Sequence, residues 1–117
     1  MKTIENIELL RKLQPILKEL GVETEYEIVD DGCTEPYPMR EEDIYFRWEE
    51  DFTFLKTLTL EEAIELLPDY IVIDIRPNEI WVHSTKYWYT STSKWETPLQ
   101  AIEKMLEYLI DNKHLWT

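Results

Sequence analysis

His83, His114 and Cys33 are the side chains in this 117-residue chain best suited to metal ligation or nucleophilic chemistry. The histidines lack the i, i+4 spacing that puts two imidazoles on one helix face, and no cysteine pair accompanies them, so no zinc site is expected. His114 falls where the end of a last helix is expected, and a cation there suits the helix dipole. Cys33 has no base near it in sequence, no nucleophile-elbow pattern occurs, and a lone cysteine cannot form an intrachain disulfide. Asp30-Asp31-Gly32 with Glu35 has the look of a calcium loop but lacks the required spacing of oxygen ligands. It is read as a solvated turn. Paired carboxylates could perform acid–base hydrolysis, but with 25 acidic residues neighbouring carboxylates are inevitable and carry little information. Two glycines leave no room for a phosphate loop or a dinucleotide fingerprint. No residue argues for catalysis, and neither cofactor nor metal is expected.

Two other clusters are more informative. The stretch KYWYTSTSKWE, Lys86 to Glu96, carries two tryptophans and two tyrosines. An unbroken strand from Ile80 would place Trp81, His83, Thr85, Tyr87 and Tyr89 on one face and Ile80, Val82, Ser84, Lys86 and Trp88 on the other. Neither face is apolar. A turn or bulge at Ser84-Thr85-Lys86 resets the register. Ile80 and Val82 then share the core with Tyr87 and Tyr89, and Trp81, His83 and Trp88 point outward as a candidate protein-contact surface. The plainer alternative is that the rings fill the core and rim of a small sheet. The second cluster runs from Asp30 to Asp51, where Arg40 and Arg47 are the only basic residues. Glu41, Glu42, Asp43, Glu49, Glu50 and Asp51 form a candidate acidic surface. On a strand, carboxylates on one face would repeat at about 6.8 Å, a spacing that can imitate phosphates to a basic groove. A solvated loop face is the commoner outcome for such a run.

The elements that must position these residues follow from periodicity and caps. A first helix is expected from Ile4 to Leu20, N-capped by Thr3 and closed by Gly21, with Pro15 kinking or splitting it. Its stripe is Ile4, Ile7, Leu10, Leu13 and Leu17, widened by Leu9, Ile16 and Leu20. Glu23 to Asp30 reads as a strand. Asp31 to Arg40 reads as irregular, because Gly32, Pro36 and Pro38 interrupt it. Asp43 to Trp48 and Phe52 to Leu55 read as a strand pair. Thr59 to Glu62 is a capping box opening a second helix that Pro68 ends. Tyr70 to Arg76 alternates, with Ile71, Ile73 and Ile75 inward, and Pro77-Asn78 turns the chain. Thr97-Pro98-Leu99-Gln100 opens a last helix with the stripe Leu99, Ile102, Met105, Leu106, Leu109 and Ile110, C-capped by Asn112. That stripe is expected to pack on Tyr70 to Arg76. The fold class is α+β, one domain over 1–117, an antiparallel sheet packed by helices in the order α-β-(β-β)-α-β-β-α.

Twelve basic residues against 25 acidic give a net charge of −13. That excludes direct nucleic-acid binding, whose affinity comes from cations on phosphate, and binding to anionic membranes. No membrane span or signal peptide is read, and a cytoplasmic setting is expected. The segment TPLQAIEKMLEYLIDNKHL, with Ala101, Lys104, Met105, Leu106, Leu109 and Asn112, resembles the closing helix of small uncharacterised proteins encoded by phages and prophages. Tyr108 stands where a tryptophan is common in that helix. The resemblance implies a mobile-element origin, hence the host cytoplasm, and transfers no catalytic residue. The leading expectation is an acidic protein that acts by protein–protein interaction and self-associates as a homodimer. Two alternatives are a phage-type inhibitor presenting acidic residues to a basic partner, and a small hydrolase with a carboxylate or metal-dependent site.

Overall fold

Asn6, rather than Thr3, caps the first helix: its side chain accepts from Leu9 N at 3.2 Å. The computed structural model describes residues 3–92 and 97–112. Among these the chain is α+β, with three α-helices and two three-stranded antiparallel sheets in the expected order. Two compact units are distinguishable, Met1–Glu62 and Ala63–Thr117.

In the first unit α1 spans Ile7–Leu20 and buries Leu9, Leu10, Leu13, Ile16 and Leu17. Pro15 does not split it. The residue is exposed, so the donor it removes is lost on the solvent side, and the buried stripe holds the turns on either side. Gly21 closes the helix at φ 67°, the left-handed position a Cβ disfavours, and Val22 N donates to Leu17 O at 2.9 Å. Ile4 lies before the helix yet is fully buried, because its N–H pairs with Leu58 O.

The sheet beneath has the order β2-β1-β3, from β1 (Tyr26–Asp30), β2 (Tyr37–Arg40) and β3 (Thr53–Thr57). β2 contains Pro38, in a segment expected to be irregular. An edge strand needs donors on one side only, so proline is tolerated there. Asp43 to Trp48, expected as a strand, is a 3-10 turn (Glu41–Asp43) followed by irregular chain. Its β-type composition yields to tertiary contacts: Arg47 reaches Glu27 on β1, and Phe46 packs on Phe52 and Phe54. Glu27, Val29, Lys56 and Phe54 share the face those contacts cover.

α2 spans Leu60–Leu66 and has its predicted capping box, Thr59 N to Glu62 Oε1 at 2.9 Å and Glu62 N to Thr59 Oγ1 at 3.3 Å. Ala63 and Leu66 are buried, while Ile64 is exposed.

The second unit holds β4 (Ile71–Arg76), β5 (Glu79–Ser84), β6 (Thr90–Thr92) and α3 (Pro98–Asp111), with sheet order β4-β5-β6. Thr97 and Gln100 form the expected capping box, and Asn112 caps the other end through Tyr108 O. The helix buries Leu99, Ala101, Ile102, Met105, Leu106 and Leu109. It packs on β5 and β6, not on β4 as expected. Val82 is fully buried, its cross-strand partner Ser91 is buried, and Ser91 Oγ donates to Ala101 O at 2.7 Å. β4 is therefore an outer edge. Ile71 and Ile73 are only half-buried and Ile75 is 78% exposed, so the inward face predicted for them is incomplete.

Candidate functional site

The register of the aromatic stretch is reset where the sequence suggested. β5 ends at Ser84, and the chain turns through Thr85 to Tyr89 before β6 begins. Ser84 N closes the turn on Tyr89 O at 3.1 Å, and Tyr87 N donates to Ser84 Oγ at 2.8 Å. Thr85 donates from both N and Oγ1 to Tyr70 O, each at 2.9 Å. Tyr89 N donates to Tyr87 O at 2.9 Å, a three-residue γ-type closure with Trp88 at its centre.

Each ring in the turn but one is held. Tyr87 meets Tyr70 edge to face at 5.6 Å, and Lys86 Nζ lies 5.4 and 5.5 Å from those two ring centres. Tyr89 stacks flat on Tyr108 of α3 at 3.9 Å. Burial pushes the Tyr89 hydroxyl above its ordinary pKa, with nearby Glu107 and Tyr108 adding to the shift and Lys104 opposing it. Burial does the same to Tyr70, with a contribution from Tyr87. Trp88 is fully exposed.

Trp81 and His83 lie on the face of β5 opposite Val82. Their rings stack at 5.8 Å, and the Arg76 guanidinium sits 4.4 Å from the Trp81 ring centre. Arg76 also pairs with Asp74 at 3.1 Å and Glu79 at 3.9 Å. Trp81 is half-buried, and its indole nitrogen is buried with no hydrogen-bond partner among the described residues. His83 Nδ1 lies 3.2 Å from Thr90 Oγ1. A concavity inside the turn is lined by His83, Lys86, Tyr87, Trp88 and Tyr89, so His83 and Trp88 share one surface while Trp81 lies outside it. His114 and Trp95 lie outside the described residues.

The acidic cluster is exposed but lacks strand spacing. Glu41, Glu42 and Asp43 occupy the 3-10 turn, and Glu49, Glu50 and Asp51 a loop. Its two arginines are engaged: Arg40 with Glu25 at 3.6 Å and Glu42 at 3.7 Å, Arg47 with Glu27 and with Glu41 at 4.0 Å. A strand over Asp43 to Trp48 would put Tyr45 and Trp48 on opposite faces, so the sequence gives no sign that both lie exposed between the two acidic triplets. Asp31 is occupied by its own turn, accepting from Cys33 N and Thr34 N at 2.9 Å each, and those bonds hold its carboxyl below the usual range. No cluster of three or more metal-ligating side chains occurs among the described residues.

No family model, curated protein or solved structure matches this chain. Among the described residues no helix is long and apolar enough to cross a membrane.

Proposed function

We propose that the protein acts by binding protein, with Trp88 as the anchor and the Thr85–Tyr89 turn as its mount. The observation that carries this reading is the full exposure of Trp88 on a turn whose neighbours are all fixed. A tryptophan contributes most to an interface when its mount is already ordered, because little conformational entropy is then lost on association. Fully buried tryptophans are also among the commonest interface hot spots. Lys86 lies against the rings of Tyr70 and Tyr87, so the turn presents an aromatic surface flanked by a cation. The net charge of −13 supports selectivity, since acidic partners are repelled at the rim.

The test is affinity capture from the source cell with the wild-type protein and Trp88→Ala side by side, at low and high salt. Proteins retained by the wild type and lost by the variant are the expected result. An identical set with both baits would overturn the assignment of Trp88.

A further inference from the structure

Two three-stranded sheets have four edges, and three of these are guarded. Along β3 the Gln14 amide donates to Lys56 O at 2.8 Å and accepts from Lys56 N at 3.0 Å, and Ile4 N bonds Leu58 O just beyond. β2 carries Pro38, which cannot donate, and acidic neighbours. β6 is three residues long. Short strands, prolines, charges and covering side chains are the devices that keep an edge from pairing with another chain. β4 is neither short nor interrupted by proline, and its two charges, Asp74 and Arg76, pair with each other at 3.1 Å. It is six residues, IVIDIR, four of them β-branched, with Val72 47% and Ile75 78% exposed.

The phase of its hydrogen bonds is fixed. Thr85 N donates to Tyr70 O, and Val72 and Asp74 stand opposite His83 and Trp81. Tyr70, Val72, Asp74 and Arg76 therefore turn their backbone groups to β5, and Ile71, Ile73 and Ile75 turn theirs outward. Of the outward donors, Ile71 N is taken by Pro68 O at 3.0 Å.

We infer that β4 is a self-pairing edge, joined antiparallel to β4 of a second copy with Ile73 opposite its own counterpart. Directly opposed residues in an antiparallel ladder are both hydrogen-bonded or both not, so an outward isoleucine must face an outward isoleucine. A two-fold axis then sets one residue of the strand against itself. An axis at Asp74 would oppose two like charges. One at Val72 would leave only the bonds from each Ile73 N–H to the facing Ile71 carbonyl within the strand, since Pro68 O holds Ile71 N. An axis at Ile75 sets Ile73 against Pro77, which has no donor, and one at Ile71 shifts the overlap off the strand. An axis at Ile73 sets Ile71 against Ile75, Asp74 against Val72 and Arg76 against Tyr70. Backbone bonds then form between the two Ile73 residues and from each Ile75 N–H to the facing Ile71 carbonyl. No like charges stand directly opposite, and Asp74 keeps Arg76 of its own strand at 3.1 Å. Exposed Ile75 gains an apolar neighbour. This goes beyond the Trp88 reading and shares with it only the premise that the molecule works through protein contacts.

Sedimentation velocity of the whole protein over a concentration series reads the assembly. A monomer–dimer equilibrium is expected. Ile75→Lys, at an already exposed position, is expected to weaken it at least tenfold with an unchanged circular dichroism spectrum, and Trp88→Ala to leave it intact. Register is read in a Cys33→Ser background with a short thiol cross-linker. Ile73→Cys should join to itself, whereas Ile71→Cys should join only to Ile75→Cys. A wild-type monomer at every concentration overturns the inference, as does self-joining by Ile71→Cys alone. A dimer dissolved by Trp88→Ala but untouched by Ile75→Lys overturns it too, and in that case Trp88 still stands as an anchor.

Discussion

Trp88 and Glu27 show two opposite treatments of side chains that would ordinarily sit elsewhere. Trp88 is a large ring left in water, while Glu27 is a carboxylate 5% exposed on the central strand β1, held by Arg47 from the loop above it. Removing the partner of a buried charge costs more than removing a surface pair, although Arg47 itself is nearly half exposed. Arg47→Ala is therefore expected to lower the free energy of unfolding by about 1–3 kcal/mol in urea titration. The double variant Arg47→Met with Glu27→Met is expected to recover most of that loss. Tyr89 supplies a pH test. Its folded pKa is raised above the unfolded value near 10 by burial, so the native state holds its proton longer than the unfolded chain. Stability from this group is whole below about pH 10 and declines as pH climbs through the folded pKa. Thermal melts between neutral and strongly alkaline pH are expected to show that decline, reduced in Tyr89→Phe. Of these residues the sequence singled out Trp88, because its neighbours alternate badly on an unbroken strand. Glu27 stayed hidden, since its partner lies twenty residues away across a loop expected to be a strand.

At the scale of elements, caps were legible and edges were not. The boxes at Thr59–Glu62 and Thr97–Gln100 are local chemistry, complete within four residues, and both form as read. The error at Thr3 is equally physical: Thr3 bridges to Thr59, a contact no local pattern discloses. Strand positions were read by composition, which found β1, β4 and β5. Composition failed for Tyr37–Arg40, where proline is allowed only because the strand is an edge, and for Asp43–Trp48, where aromatic residues serve a loop. α3 was expected on β4 because sequence neighbours often pack, yet β5 and β6 hold that face. Gln14 is the edge guard most open to test. Gln14→Ala removes both of its bonds to the Lys56 backbone and uncovers β3. A loss of about 1–2 kcal/mol in chemical denaturation is expected, together with greater light scattering on standing at high concentration.

For the whole molecule the dominant fact is −13 of net charge on 117 residues. Two such copies repel, so any self-association works against a field that added salt screens within about 10 Å at 0.1 M. The dimer through β4 is accordingly expected to tighten as sodium chloride rises, whereas a complex with a basic partner is expected to loosen. Sedimentation at several ionic strengths separates the two, and a dimer that weakens with salt would show that charge attraction, not strand pairing, holds it. The α+β class was legible from the chain because caps and alternation together fix element types. The partner was not, because the exposure of a ring carries no information about what would cover it.

The most direct measurement pairs affinity with stability on one variant. The dissociation constant of a captured partner is measured for wild type and Trp88→Ala, and both proteins are unfolded in urea from the same preparations. An anchoring ring gives binding weaker by about 30-fold or more with the free energy of unfolding changed by less than about 0.5 kcal/mol. Unchanged binding, or a variant destabilised by about 3–5 kcal/mol as for a core aromatic, would contradict the assignment of Trp88 as the contact residue.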